Sequence, residues 1–447
     1  MSAARAATAR AIGRFCWPTE QLESHRTTAL RALIAHVKTR SPWHAERLAG
    51  IDGSTVNECH LQSIPPMTKA DLMKNFDAIV TDSRLTLSHC VAQLDAQANG
   101  AGPLYGRYTV SRSGGSSGTP ATVVFDLDEM AANAGSALGL IERWNGRVKV
   151  LTRQAKAAVL TSLDPVLQAQ QVGRALEGVL LSVDSPTDAI VETLNRARPD
   201  VLMTYPSLLP MLAHEARSGR LEISPSLVIG GAEPMLPEHR RATAETWRCA
   251  LIDGWGSSEV GVAAVGSGFE GGMLLLDDRV IVEPVDEHGR PVTFGTLAAK
   301  VYVTPLLRYT LPLLRYELTD QIRFLAGPPC CGANFRRIWH CENRLEDSFT
   351  YTGDMVVPPQ LFVDVLGRER CILEYQVRQT ENGVAVALTT GGPIDLARVR
   401  EDLFTRLRSV LKQPTVSVEK VARIPRTGPA LKLRRFIPLP DEVTQRH

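Results

Sequence analysis

Three short segments carry residues whose types and spacing could do chemistry. The first is Ser111-Arg112-Ser113-Gly114-Gly115-Ser116-Ser117-Gly118-Thr119-Pro120, which follows the apolar–polar stretch Tyr108-Thr109-Val110. A loop of Gly, Ser and Thr lets backbone N–H groups and hydroxyls close around an anionic phosphate, because no bulky side chain stands in the way. It is not a Walker loop, which ends Gly-Lys-Ser/Thr; the chain contains no Gly-Lys dipeptide. Taken alone, the segment reads equally as a plain hairpin or linker. The second segment, Val228-Ile229-Gly230-Gly231-Ala232-Glu233-Pro234, runs an apolar strand into small residues that admit a flat ligand against the backbone. The third, Leu251-Ile252-Asp253-Gly254-Trp255-Gly256-Ser257-Ser258-Glu259, ends a β-run in an aromatic, two hydroxyls and a carboxylate. A hydroxyl plus Glu259 make a hard-oxygen set suited to Mg2+ beside phosphates. Each of these two segments is also compatible with an ordinary strand-to-loop turn.

The surrounding pattern must hold these segments in place. Between residues 130 and 200, helical stretches alternate with β-rich runs at 148–151 and 158–162, and runs at 226–229 and 250–253 flank a helix over 237–247. Such alternation predicts α/β layers, in which ligands lie at the carboxyl ends of the strands. Upstream, Leu30, Leu33, Ile34 and Val37 have helical spacing within 20–47. Pro65-Pro66 then breaks the chain before Thr68, an N-cap for a helix over 69–76. Region 271–324 is strand-dense, with turns at Glu287-His288-Gly289 and Phe294-Gly295, and predicts an antiparallel sheet or barrel. Beyond it, β-runs at 371–377 and 384–388 flank Asn382-Gly383, a hairpin signal. Asp395 caps a helix with Leu396, Val399, Leu403 and Leu407 on one face, and a strand over 415–424 completes a small α+β unit.

Bulk properties narrow the classes. The 447 residues, 44% hydrophobic and 22% charged, are too many for one ordinary core and predict two or three globular domains. A net charge of +2 gives no field for nucleic acid or an anionic membrane, and no stretch approaches 18 consecutive apolar residues. The eight cysteines are thinly spread, which predicts reduced thiols and a cytoplasmic protein. Residues 1–17 carry Arg5, Arg10 and Arg14 without an acid, and read as an amphipathic first helix rather than a transit peptide.

In order and spacing, these blocks resemble the adenylate-forming superfamily of acyl-CoA synthetases, peptide-synthetase adenylation domains and luciferases, and within it the phenylacetate–CoA ligase branch. Pro65-Pro66-Met67-Thr68-Lys69-Ala70-Asp71-Leu72 is similar to that branch's Pro-Leu-Thr-Lys-x-Asp-Leu signature. The loop from Ser113 to Pro120 stands where the family has its phosphate loop. Gly230 to Pro234 stands at its adenine-binding turn, and Trp255-Gly256-Ser257-Ser258-Glu259 at its Tyr-Gly-x-Thr-Glu motif. Arg315-Tyr316-Glu317-Leu318-Thr319-Asp320 resembles the segment whose aspartate holds ribose, and Arg344-Leu345-Glu346-Asp347 the Arg-x-Asp-Asp hinge, with Gly353 and Pro358 following. Pro425-Arg426-Thr427 with Lys432 and Arg435 is similar to the terminal Pro-Arg-Thr…Gly-Lys-x-x-Arg motif. Three departures stand out: Thr119 where many relatives have lysine, Trp255 for tyrosine, and Leu431 for the glycine before the lysine in a motif one residue longer.

The resemblance implies an α/β multi-layer N-terminal domain over 1–345, with α/β sheets plus a distorted antiparallel barrel, and a small α+β C-terminal lid over 346–447. It implies ATP-dependent activation of an aryl, arylacetic or related acid to an acyl-adenylate, then transfer to a thiol, most simply that of coenzyme A. Ser113, Gly115, Ser116, Ser117, Gly118 and Thr119 would cradle phosphates, and Glu259, beside Ser258, would hold Mg2+. Gly231, Ala232, Glu233, Pro234, Asp253, Gly254, Trp255, Gly256 and Ser257 would frame the nucleotide, with Asp320 and Arg344 on the ribose. Tyr205, Gly230 and Gly256 would line the acid pocket, although Tyr205 reads equally as a core residue. Lys432 would be the catalytic cation, with Lys412 and Lys420 its few competitors among nine lysines. Rotation at Glu346 would bring Gly353 to the thiol. Transfer to a carrier-protein thiol or an amine, a non-catalytic nucleotide-binding homologue, and a homodimer are alternatives left open. Cys330-Cys331-Gly332 and His340-Cys341 look at first like a zinc knuckle, but adjacent cysteines are poor tetrahedral spacing.

Overall fold

The computed structural model describes residues 12–98, 100–113, 120–145, 155–162, 177–267, 272–327, 332–339, 343–344, 347–353, 355–426, 428 and 431–439. The single helix expected over 20–47 is two, Thr19–Arg40 and Pro42–Arg47. Pro42 cannot donate to the first helix, and Ser41 turns extended and caps the second through its hydroxyl. Thr68 caps Lys69–Lys74 reciprocally with Asp71. That helix stops at Asn75 and a short one, Phe76–Ile79, restarts.

Strands β1 (Tyr108–Arg112) and β2 (Thr122–Asp126) pair antiparallel, and the Gly/Ser-rich segment lies between them in the sequence. Gly115, Ser116, Ser117, Gly118 and Thr119 lie outside the described residues. After the helix Leu127–Asn145 comes the α/β layer. Strands β3 (Lys156–Thr161), β4 (Glu177–Ser182), β5 (Val201–Thr204), β6 (Leu227–Gly230) and β7 (Ala250–Ser257) are parallel in the order β4-β3-β5-β6-β7. Helices Thr187–Ala197, Leu209–Arg217 and Pro237–Trp247 connect them. The β-run expected at 148–151 lies outside the described residues.

From β7 the sheet turns antiparallel, through β8 (Gly261–Ser267) and β9 (Met273–Leu275). The strand-dense region divides. Strands β10 (Val280–Val285), β11 (Lys300–Pro305) and β12 (Tyr316–Leu318) form their own antiparallel sheet. After β13 (Asp320–Gln321), strands β14 (Phe324–Leu325) and β15 (Arg337–Ile338) return to β9 and extend the large sheet to nine strands. Strand β16 (Asn343–Arg344) pairs with β13.

The C-terminal elements are a hairpin of β17 (Phe349–Tyr351) and β18 (Met355–Val357), the helix Gln360–Leu366, strands β19 (Ile372–Thr380) and β20 (Gly383–Thr390), the helix Leu396–Leu407, and β21 (Thr415–Lys420). A last short strand, β22 (Phe436–Ile437), was not expected and gives the sheet order β21-β20-β19-β22. Tyr375, Val386 and Phe436 of this sheet pack with Phe362 and Leu403 of the two helices in a buried cluster distinct from those of the large sheet. The Asp395 carboxylate accepts from Arg398 N at 3.0 Å, as its capping role requires. The hairpin at 381–382 is real, but neither of its residues nor Gly383 takes a positive φ. The glycine is needed for another reason: a Cβ on Gly383 would lie 1.9 Å from the Thr415 carbonyl, where β21 runs alongside. No helix among the described residues is long and apolar enough to cross a membrane.

Candidate functional site

The carboxyl ends of β5, β6 and β7 lie side by side and carry the two glycine-rich segments. At the first, Gly231 is followed by Ala232 at φ 69°, a left-handed turn that swings the chain off the strand. A Cβ on Gly231 would meet no atom within 4 Å, so its face is open. The other two glycines are small for protein reasons. A Cβ on Gly230 would meet Met235 Cε at 2.1 Å, and one on Gly256 the Gly261 carbonyl at 2.0 Å. A side chain and backbone of the chain itself therefore pack closely against these two positions, which were assigned to the acid pocket. Tyr205 is likewise a core residue, buried among Leu208, Leu212 and Met235, with its hydroxyl 2.6 Å from Ser162 Oγ.

Several residues assigned to the nucleotide are committed to the fold. Ser113 closes the neck of the hairpin loop: its N–H donates to the Ala121 carbonyl and its Oγ accepts from Ala121 N, both at 2.8 Å. Asp253 is buried and accepts from Arg240 Nη2 at 3.1 Å. Trp255, assigned to the adenine, is packed in the main apolar core and only 5% exposed. Gly254 and Pro234 keep their places at the strand ends, and Ser257 Oγ accepts from Val260 N at 3.3 Å to shape the turn. Ser258 on that turn is half-buried.

Glu259 follows this turn into a buried polar cluster. Tyr316 Oη donates to its Oε1 at 3.4 Å. Arg308 lies nearby, wholly buried and stacked 3.7 Å over Phe125, donating through Nη2 to the Val124 carbonyl of β2. Burial drops the Arg308 guanidinium to about 10, while Glu129 and Glu259 pull in the other direction. Glu129 Oε1 in turn accepts from Tyr309 N, Thr310 N and Thr310 Oγ1. Arg308 and Glu129 thus tie β2 and the helix after it to the segment 308–311, with the Arg308 charge in the field of Glu259. Sequence reasoning missed both, since neither belongs to a motif and only tertiary packing joins them.

Asp320 and Arg344, assigned together, are together: they pair across β13 and β16, and Arg344 Nε donates to Asp320 Oδ1 at 3.1 Å. The Pro65-to-Leu72 signature docks here too. Met67 forms a parallel bridge to Tyr316, and Arg315, at φ 54°, donates to the Ile64 carbonyl and to Glu283.

The C-terminal segment reaches the same place. Lys432 is half-buried, and its ammonium is pushed below the usual lysine value by burial first and then by Arg344; Glu233, Asp320 and Glu259 oppose the shift. Lys412 and Lys420 are exposed, which leaves Lys432 as the lysine within the field of these groups. Glu233 does not face outward to a nucleotide. Its Oε1 accepts from Leu433 N at 2.8 Å and Arg426 Nη1 at 3.2 Å, and its Oε2 from Ser207 N at 3.2 Å. Leu431 takes the left-handed conformation, φ 42°, that a glycine would adopt freely. Gly353 sits at φ 80° on the exposed β17–β18 turn. Glu346, Cys330, Cys331, His340 and Cys341 lie outside the described residues.

Among the described residues, no group of three or more His, Cys, Asp or Glu is placed to hold a metal ion. A single carboxylate such as Glu259 nevertheless fits Mg2+, which keeps waters and substrate phosphates as its other ligands.

No protein-family model matches the chain. It is 28% identical over 204 residues to the phenylacetate–coenzyme A ligase of Pseudomonas putida, a match covering 44% of this chain and 46% of that one; the chain thus spans about half the length of that relative. To the phenylacetate–coenzyme A ligase of Escherichia coli (strain K12) it is 23% identical over 390 residues, covering 81% and 80%. Among solved structures it resembles 2-hydroxyisobutyryl-CoA ligase in the postadenylation state, with a TM-score of 0.73 at 17% identity over 96% of this chain and 91% of that one. Against the same ligase in the thioesterification state the TM-score is 0.60, at 17% identity over 95% and 91%. The chain is thus similar in sequence to phenylacetate–coenzyme A ligases, and its mixed α/β fold is like that of 2-hydroxyisobutyryl-CoA ligase.

Proposed function

We propose that the chain activates a carboxylic acid with ATP and passes the acyl group to the thiol of coenzyme A. The observation that carries this reading is that Glu233 of the strand-end loop accepts from Leu433 N at 2.8 Å, which seats the segment bearing Lys432 on the glycine-rich turn, where Arg344, Glu233, Asp320 and Glu259 act on its ammonium. In the first step a carboxylate oxygen attacks the α-phosphorus of ATP, the bond to the β-phosphate breaks, and pyrophosphate leaves. In the second a thiolate attacks the acyl carbon and AMP leaves. Both partners of the first step are anions, so the site must align them and supply positive charge. Lys432 supplies it between the carboxylate and the α-phosphate. The open face beside Gly231 and Ala232 receives the adenine, and the Asp320–Arg344 pair receives the ribose hydroxyls. Gly115, Ser116, Ser117, Gly118 and Thr119 would cradle the β- and γ-phosphates. Glu259 would hold Mg2+, which neutralises phosphate charge when bound.

In this reading the chain divides near Glu346 into a core over 1–345, its antiparallel sheets forming a distorted barrel, and a lid over 346–447. The lid turns at Glu346 between the two steps and carries Gly353 towards the thiol. The higher likeness to the postadenylation than to the thioesterification form of 2-hydroxyisobutyryl-CoA ligase supports an arrangement belonging to the first step. The names of the relatives favour an arylacetic or aryl acid, and a small acid and coenzyme A are the partners. The test is pyrophosphate exchange over a panel of acids, followed by thioester formation with coenzyme A. Exchange with an arylacetic acid that becomes net turnover only when the thiol is added supports the reading; no exchange with any acid refutes it.

A further inference from the structure

We infer that Glu233 and Arg426 form a clamp that positions Lys432, an inference resting on the catalytic reading of that lysine given above. The two side chains grip the backbone on both sides of it. Glu233 Oε1 accepts from Leu433 N at 2.8 Å on one side, and Arg426 Nη1 lies 3.5 Å from the Leu431 carbonyl, which accepts from it, on the other. The clamp closes on itself, because the same Nη1 donates to Glu233 Oε1 at 3.2 Å. It is anchored at both ends. Arg426 Nη2 donates to Ser207 Oγ at 2.8 Å and to Glu374 Oε1 at 2.6 Å, and Glu233 Oε2 accepts from Ser207 N. All three charged side chains are largely removed from water: 4% exposed for Arg426, 7% for Glu233 and 14% for Glu374.

The need for such a device follows from Leu431. A flexible glycine before the lysine would let the backbone find its own path, but here a leucine is held at φ 42°, a region costly for a residue with a branched side chain. Its side chain packs against the apolar cluster that contains Tyr205 and Met235. Packing and clamp together hold a turn that the sequence does not favour locally, and the lysine aim depends on both. Glu233 belongs to the core strand-end loop and Arg426 to the C-terminal segment, so the clamp exists only while the two are apposed. Its closure delivers the lysine, and its opening withdraws it.

The experiment uses the full chain and its best acid from the panel. Pyrophosphate exchange and thioester formation from a supplied acyl-adenylate are measured for wild type, Arg426→Ala, Arg426→Lys, Lys432→Ala and the double variant Arg426→Ala/Lys432→Ala. A clamp lowers kcat for exchange about tenfold or more in Arg426→Ala, with KM for ATP little changed, and adds nothing on the Lys432→Ala background. Arg426→Lys keeps the charge but loses the fork, and falls in between. Equal loss in both half-reactions, or additive loss in the double variant, overturns the clamp. A second readout is independent of activity: the rate at which an amine-specific acylating reagent labels Lys432, followed by mass spectrometry in wild type and Glu233→Gln. Faster labelling in the variant supports the clamp, and an unchanged rate overturns it. Wild-type exchange in Lys432→Ala would instead refute the catalytic reading, with the labelling still deciding the clamp.

Discussion

Tyr316 Oη donates to Glu259 Oε1 at 3.4 Å, so the strand after Arg315 and the turn after β7 meet at one carboxylate. Burial and the neighbouring Glu259 hold the phenol proton well above its ordinary range, and Tyr316 stays a donor at every working pH. The bond orients the carboxylate.

Glu259→Gln is therefore expected to keep the fold, because an amide oxygen still accepts from Tyr316. A neutral amide holds Mg2+ poorly, so pyrophosphate exchange should fall at least about tenfold, or about 1.4 kcal/mol. Exchange near the wild-type rate, measured with saturating Mg2+, would remove the metal role from Glu259.

Two glycines of the strand-end loops make opposite predictions. A Cβ at position 256 would sit 2.0 Å from the Gly261 carbonyl and 3.1 Å from Val262 Cα, at the irregular register between β7 and β8. Backbone cannot step aside as a side-chain end can, so Gly256→Ala should cost about 1–3 kcal/mol and lower the melting temperature. Gly231→Ala adds a methyl to open space and should leave the melting temperature unchanged while raising KM for ATP. A stability loss in Gly231→Ala, or none in Gly256→Ala, contradicts this division.

His44 makes the fold sensitive to acid. It is fully buried, its Nε2 donates to the Pro312 carbonyl at 3.1 Å, and burial first, then Arg47, pushes its pKa down from 6.5 to about 3. The unfolded chain takes up a proton below pH 6.5 whereas the folded one does not until about pH 3, so stability falls as pH falls through that window. The slope is about 1.4 kcal/mol per pH unit for one such group. The denaturant midpoint should drop between pH 7 and pH 5, and the drop should shrink in His44→Gln. An equal drop in both proteins would assign the acid sensitivity elsewhere.

Much of the fold was legible because local signals and tertiary needs agree in it. The helix Pro237–Trp247 begins at a proline and faces its buried side to β7, and the parallel strands end at the glycine-rich segments. Lys432 was singled out in the sequence by its place near a Pro-Arg-Thr motif, despite Leu431. What was not legible lies in contacts between distant parts. Nothing local marks Trp255 as core, since a strand-end aromatic can face either way and only the packing of β8 decides. Glu233 sits in an adenine-type turn by sequence, yet its carboxylate goes to a backbone amide 200 residues later. Arg308 lies outside every motif and became part of the site through β2. The close packing at glycines was hidden for the same reason: Gly230, Gly256 and Gly383 are each pressed by atoms of other parts of the chain.

The charge state of Lys432 supplies the last prediction. Burial and Arg344 lower its pKa below the free-lysine value of 10.5, and Glu233, Asp320 and Glu259 offset only part of the shift. If the ammonium is the group that draws the carboxylate to the α-phosphate, exchange must decline as pH rises through this lowered pKa, where a free lysine would still be charged. Stability moves in the other direction. The folded state binds this proton less readily than the unfolded one, so between the two pKa values raising the pH relieves a cost and stability contributed by this group increases. A decline in exchange over the alkaline range therefore cannot be put down to loosening at Lys432. In Lys432→Arg the guanidinium stays charged throughout, so its profile should be lower but flat. Measured side by side with melting temperatures from pH 7 to pH 10, parallel wild-type and Lys432→Arg profiles would refute the assignment, and a decline confined to wild type would place the titrating charge at this residue.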